Sequence, residues 1–220
     1  MRQPVYPGLD VVSHRRVLGL GALALLSVLS CNVTSARAPR QPDPTAISLQ
    51  PGDLPADFQR CPASGDIGRY VQFLQGTSTA ARDELASGWR ALQLNGASRA
   101  AVTVLAQQQA ACGARLGTGA GPSVTTVVVS FRDEGAATAA YEHGMLGFAT
   151  PSVDAEVAGM ARGAATGIGR NAWVLERSVN GRSLLIGLWQ RHLIAVLFVA
   201  VDSDPLQTKQ AIATVDGRIP

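Results

Sequence analysis

Three cysteines, three histidines and two pairs of adjacent carboxylates are the side chains of this 220-residue chain whose types could do chemistry. Cys61 and Cys112 are the pair that oxidation could join. A disulfide closing their loop of about 52 residues would stabilise the fold by roughly 4 kcal/mol on the chain-entropy view, and two separate buried thiols are the alternative. Outside the N-terminal stretch only His143 and His192 remain, too few for a metal site without carboxylates at ligand spacing. Asp83-Glu84 and Asp133-Glu134 are neighbours in sequence. On a helix adjacent residues do not face one another, so neither pair forms an acid/base couple. No H-E-x-x-H, C-x-x-C or G-x-S-x-G occurs. The glycine cluster Gly117–Pro122 precedes a strand, whereas a phosphate-cradling loop follows one and opens a helix. These residues point to a non-enzymatic protein with no cofactor and no metal.

Cys31 belongs to a different chemistry. Arg15-Arg16 leads into the uncharged apolar run Val17–Ser30, which ends at Cys31. A basic n-region, a short apolar h-region and a small residue before a cysteine are the parts of an export signal. Fourteen residues are too few for a span, which needs about 20. Val28-Leu29-Ser30-Cys31 resembles the lipobox of bacterial lipoproteins, with Leu29 bulkier than the usual small residue. The resemblance implies lipid attachment at Cys31, with residues 1–30 a signal peptide and the mature protein held at the outer face of the cytoplasmic membrane or in the cell envelope. Ser13–Leu18 also resembles a twin-arginine export signal, so the export route stays open.

Residues 1–30 carry three of the nineteen basic and one of the sixteen acidic residues, which leaves sixteen and fifteen in the mature chain. The sequence pI of 9.1 therefore owes much to the signal. A near-neutral domain without a basic cluster gives no nucleic-acid footprint. Residues 31–53 are rich in Pro, Ser, Thr and Ala, with Pro39, Pro42, Pro44 and Pro51 denying helix formation, and this stretch reads as a flexible tether. Residues 54–220 then make a single domain of a size that buries its own core.

The periodicities predict an α+β domain, mainly an antiparallel sheet with helices on one or both faces. Ile67, Tyr70, Val71 and Leu74 share a helical face ending at Gly76, and Leu85, Trp89 and Leu92 share a second, entered through Thr77-Ser78-Thr79. Ser98 opens an expected third helix carrying Val102, Leu105 and Cys112. Val124–Phe131 is a strand, Asp133–His143 a helix capped by Asp133, and Ala155–Ala165 a further helix before the Gly167-Ile168-Gly169 break. Asn180-Gly181 tolerates the positive φ of a type I′ turn and makes Ala172–Val179 and Arg182–Gln190 a hairpin. Leu193–Val201 follows through a turn at Arg191-His192, and Asp204-Pro205 begins a last helix, Leu206–Asp216.

The hairpin register assigns faces. Trp173 meets Leu188 and Leu175 meets Ile186 on one face, while Val174 meets Gly187 and Ala172 meets Trp189 on the other. Ile194, Val196 and Phe198 join Leu185, Gly187 and Trp189 on that second face. A sheet apolar on both faces must be covered twice. Either the helices within residues 66–112 supply the second cover, or Val174, Leu185, Gly187, Trp189, Ile194, Val196 and Phe198 line an open apolar groove.

From Gly167-Ile168-Gly169 through Trp173, Trp189-Gln190-Arg191-His192, Leu193-Ile194-Ala195-Val196 and the closing Gly217-Arg218-Ile219, the order of elements resembles the C-terminal part of actinobacterial secreted lipoproteins and of the extracytoplasmic sensor domains of mycobacterial serine/threonine kinases. The resemblance implies an antiparallel sheet packed by helices around a cleft and held by two disulfides, where this chain can form one. The expectation is a lipid-anchored domain that binds a small apolar ligand, a lipid or an envelope partner. An envelope structural or assembly protein without a ligand is the alternative.

Overall fold

The computed structural model describes residues 41–118, 121–152 and 154–220. Residues 1–40, with the expected signal peptide and Cys31, lie outside them. Among the described residues no helix is long and apolar enough to cross a membrane.

The protein is α+β, built on an eight-stranded antiparallel sheet. The strands are β1 (Gln59–Arg60), β2 (Gly65–Asp66), β3 (Ala97–Ala106), β4 (Ser123–Phe131), β5 (Met160–Arg162), β6 (Ala172–Val179), β7 (Arg182–Arg191) and β8 (Ile194–Val201). They run in the order β1-β3-β4-β8-β7-β6-β5, with β2 also pairing with β3. Among the described residues five α-helices accompany the sheet: α1 (Pro44–Ile47), α2 (Ile67–Gln75), α3 (Thr79–Leu94), α4 (Glu134–His143) and α5 (Pro205–Gly217).

Short polar side chains start the helices, as helix capping requires. Asp66 Oδ1 accepts from the amide of Gly68 at 2.8 Å, Ser78 Oγ from Ala81 at 3.3 Å, Asp133 Oδ1 from Ala136 at 2.8 Å and Asp204 Oδ1 from Gln207 at 2.9 Å. The β6–β7 hairpin has the expected register, Val174 opposite Gly187 and Ala172 opposite Trp189. Asn180 (φ 53°) and Gly181 (φ 76°) turn it.

Both sheet faces are covered. On the first, α2, α3 and α4 enclose Val102, Val127, Val129, Phe131, Trp173, Leu188 and Leu197. Cys61 and Cys112 are joined there by a disulfide, their Cα atoms 5.5 Å apart. The Tyr70 hydroxyl donates to the Cys112 carbonyl at 2.8 Å, and burial pushes its pKa up to about 12. On the second face, α5 lays down Thr208, Ala211, Ile212 and Val215, the i, i+3, i+4, i+7 stripe of an amphipathic helix. The rest of that face is closed by Ile47, Leu49, Leu54 and Phe58.

Four expectations are corrected. Residues 43–53, expected within the tether over residues 31–53, instead carry α1 and bury Ile47 and Leu49 against the sheet. The helix expected from Ser98 to Cys112 is β3 followed by a 3₁₀ turn at Gln109–Gly113. Every residue from Ala100 to Ala106 is buried, so the strand shows no alternation that would separate it from a helix. The helix expected over Ala155–Ala165 is the edge strand β5 and a 3₁₀ turn at Gly163–Thr166. The last sheet turn is also displaced by one position, at His192-Leu193, which pairs Trp189 with Val196 and Gly187 with Phe198. That moves the pairing register by two residues, so the same side chains share the second face.

Candidate functional site

The second face is closed by α5 and residues 43–58, not by the helices of residues 66–112. Gly187, Ile194, Val196 and Phe198 therefore lie inside packed core; Trp189 keeps 1 % exposure. A β-carbon on Gly187 would stand 3.6 Å from Trp189 Cζ3 and 3.7 Å from both Phe198 Cβ and Val174 Cγ2. Alanine fits at those distances and leucine does not. Gly187→Leu is expected to cost about 1–3 kcal/mol by overpacking, against near-neutrality for Gly187→Ala, in paired urea unfolding curves.

The open space lies beside this core, between α5 and the β5–β6 edge. A central cavity of about 450 Å³ is walled by Ala161, Ala165, Ile168, Val174, Ile212 and Ala213. Glu176 also borders a second cavity of about 430 Å³, together with Leu185 and Pro205. Ile168 and Asp216 also border a third, of about 360 Å³, together with Trp189. The three cavities share these wall residues and together line the groove beside α5. Of the residues expected to meet a ligand, Val174, Leu185 and Trp189 each border one of its parts.

Two close approaches build the groove's edge. Gly159 (φ 78°) brings its carbonyl to the Glu176 amide at 2.9 Å, and a β-carbon there would lie 2.1 Å from the Glu176 carbonyl. Only glycine fits both that φ and that approach. Lys209 Nζ on α5 then meets Glu176 Oε1 on β6 at 2.8 Å across the groove, with both side chains about half exposed.

Asp216 stands seven residues beyond Lys209, two turns along the same side of α5. Its side chain is 15 % exposed and lies 3.5 Å from Arg191 Nη1. Burial raises its pKa, and Arg191 opposes that rise without cancelling it. Among the described residues neither Asp216 Oδ1 nor Trp189 Nε1 closes a hydrogen bond.

His143 ends α4, where Nδ1 lies 2.8 Å from the Ala139 carbonyl, and His192 turns β7 into β8 at φ 52°. Neither lines the central cavity. Among the described residues no three His, Cys, Asp or Glu side chains gather at metal-ligand distance. The Thr166 hydroxyl, the one hydroxyl in the central cavity wall among the described residues, donates to the Gly163 carbonyl at 2.7 Å and accepts from the Ile168 amide at 3.1 Å. What the arrangement offers is apolar surface with a few fixed charges.

Sequence reasoning missed Ile168, Ile212, Ala213, Lys209 and Asp216 as groove residues. The available signal was the α5 pattern, in which Lys209, Ala213 and Asp216 flank the apolar stripe at helical spacing. It pointed to a helix edge but not to what that edge faces. No family model matches the chain, and no curated protein and no solved structure matches it.

Proposed function

We propose that this is a lipid-anchored, extracytoplasmic, non-enzymatic protein that binds a small apolar ligand in the groove between α5 and the β5–β6 edge. The observation that carries the reading is the 450 Å³ central cavity. Small-molecule sites occupy about 300–1,000 Å³, lined by apolar side chains with a few placed polar groups, and this cavity has Ile168, Val174 and Ile212 on its walls with Glu176, Lys209 and Asp216 at its margins. The address rests on Arg15-Arg16, the apolar run Val17–Ser30 and the lipobox-like residues before Cys31. The disulfide fits an oxidising compartment.

The test is native mass spectrometry of the full chain purified from membranes of its own host. A bound apolar adduct is expected in the wild type and lost in Ala213→Trp, which fills the groove from an exposed helix position. Cys31→Ala, made alongside, should leave the membrane fraction or accumulate as unprocessed precursor. An adduct-free wild type, with a melting midpoint unmoved by any apolar extract of those membranes, would instead favour an envelope structural role. A Cys31→Ala chain with unchanged mass and partitioning would remove the anchor.

A further inference from the structure

At its hairpin end the first sheet face is only partly covered. Successive strand residues point to opposite faces, and the β6–β7 pairing sets Leu175 opposite Ile186, Arg177 opposite Leu184 and Val179 opposite Arg182. Leu175 and Ile186 belong to the first-face core, so Arg177, Val179, Arg182 and Leu184 share that face. A pocket of about 360 Å³ lies there, bordered by Arg177, Val179 and Leu184 from the sheet and by Leu116, Gly117 and Phe148 from the loops. Leu116, Phe148 and Leu184 are partly buried against the core, and Val179 is 38 % exposed. Gly117 approaches the sheet so closely that a β-carbon on it would stand 3.6 Å from Leu184 Cδ1 and from Val199 Cγ1. The walls are therefore largely apolar, and the volume is that of a small-molecule site.

Two guanidinium groups border this pocket, those of Arg177 and Arg182, and among the described residues no carboxylate does. Arg182 is taken up: its Nε donates to Asp202 Oδ2 at 2.7 Å and its Nη2 to the Gly121 carbonyl at 3.3 Å. The other oxygen of Asp202 accepts from the Ser183 amide at 3.0 Å. Glu176, next to Arg177 in sequence, points to the second face, where Lys209 holds it. Among the described residues Arg177 is thus left without a carboxylate, its side chain exposed beside apolar walls.

We propose that this pocket is a second binding site, for a small aliphatic carboxylate, with the head at Arg177 and the chain against Leu116, Phe148, Val179 and Leu184. A guanidinium presents a planar fork of donors that meets both oxygens of a carboxylate at once. The site is separate from the groove beside α5: β6 gives Val174 and Glu176 to the groove and Arg177 and Val179 to this pocket, on opposite faces of the sheet. The inference therefore stands without the groove reading.

The experiment is calorimetric titration of the full chain with octanoate and with octylammonium, in the wild type, Arg177→Gln, Val179→Glu and Ala213→Trp. Octanoate is expected to bind the wild type and Ala213→Trp alike. Arg177→Gln should bind it about threefold to tenfold more weakly, the span from an exposed ion pair to a charge-assisted hydrogen bond. Val179→Glu sets a carboxylate on the same face two residues from Arg177 and should weaken octanoate at least as much with the arginine still in place. Octylammonium should bind the wild type more weakly than octanoate does, and Arg177→Gln should remove that difference. Both pocket positions are exposed, so neither change should move the melting midpoint. If octanoate does not bind the wild type, or binds Arg177→Gln equally well, the site is overturned. Octanoate binding that Ala213→Trp abolishes and Arg177→Gln keeps would assign the acid to the groove, which overturns this inference and supports the groove reading. A wild type that binds no octanoate leaves the groove reading to its own test, the bound adduct.

Discussion

A chain carrying Cys61→Ala and Cys112→Ala is expected to be about 4 kcal/mol less stable than the oxidised wild type, the loop-closure entropy of a disulfide spanning roughly 50 residues. For a domain of this size that corresponds to a fall in melting midpoint of about 10 °C. The bridge spans 51 positions, from the β1–β2 connection to the 3₁₀ turn after β3. Its native surroundings keep other ties: the Cys61 amide donates to the Val104 carbonyl at 2.9 Å, and the Tyr70 hydroxyl holds the Cys112 carbonyl. The double variant should therefore keep its fold at room temperature and lose stability chiefly through a freer unfolded chain. Thermal unfolding of both proteins, each with and without reductant, checks this. A reductant-insensitive wild type whose midpoint equals that of the double variant would show that the bridge is absent or contributes nothing.

Arg218→Ala is the second large effect, expected at about 3 kcal/mol, in the range for removing one partner of a buried ion pair. Arg218 follows α5 and grips Asp53 with both nitrogens, Nη1 to Oδ2 at 2.7 Å and Nη2 to Oδ1 at 2.5 Å; Nη1 also donates to the Ser48 carbonyl at 3.0 Å. The Asp53 side chain is 7 % exposed and that of Arg218 27 %. Removing the arginine strands the more buried charge with little beyond the Gln50 amide, 2.7 Å from Oδ2. Asp53→Ala leaves a guanidinium that still reaches water and the Ser48 carbonyl, so it should cost less, about 2 kcal/mol. The double variant is expected to lose less than the two single losses added, because each single change already forfeits the same contact. Chemical denaturation of the three variants gives the cycle. Equal losses for both single variants, or strict additivity, would contradict this account. Hydrogen exchange should rise first at residues 44–54, which the pair fastens over the second face.

That pair joins residues 165 positions apart, and its Asp53 falls in a stretch whose prolines read as a tether. Proline content describes what a segment cannot form by itself. It does not report that Ile47, Leu49 and Leu54 meet an apolar sheet, because burial is decided by the partner surface. The same limit explains β3. Ala100–Ala106 is buried throughout, apolar but for Thr103 and rich in alanine, and only its neighbours β1, β2 and β4 make it a central strand. The candidate site was legible to the extent of its sheet face: Val174, Leu185 and Trp189 border the groove, while Gly187, Ile194, Val196 and Phe198 share the face but lie in the packed core.

By itself the sequence determined what local chemistry controls. Asp66, Ser78, Asp133 and Asp204 started their helices because a short side-chain oxygen can meet the first free amides there. Asn180-Gly181 set the hairpin register because few residues accept two positive φ values in succession, and that register fixed which side chains share a face. Tertiary structure decided which layer covers each face. It laid α5 and residues 43–58 over the second face, brought Arg218 to Asp53, and left the space between α5 and β6 unfilled. These are long-range choices between apolar surfaces of similar character. The hydrophobic effect that drives them is non-directional, so the sequence pattern shows that a face must be buried while packing geometry selects what buries it.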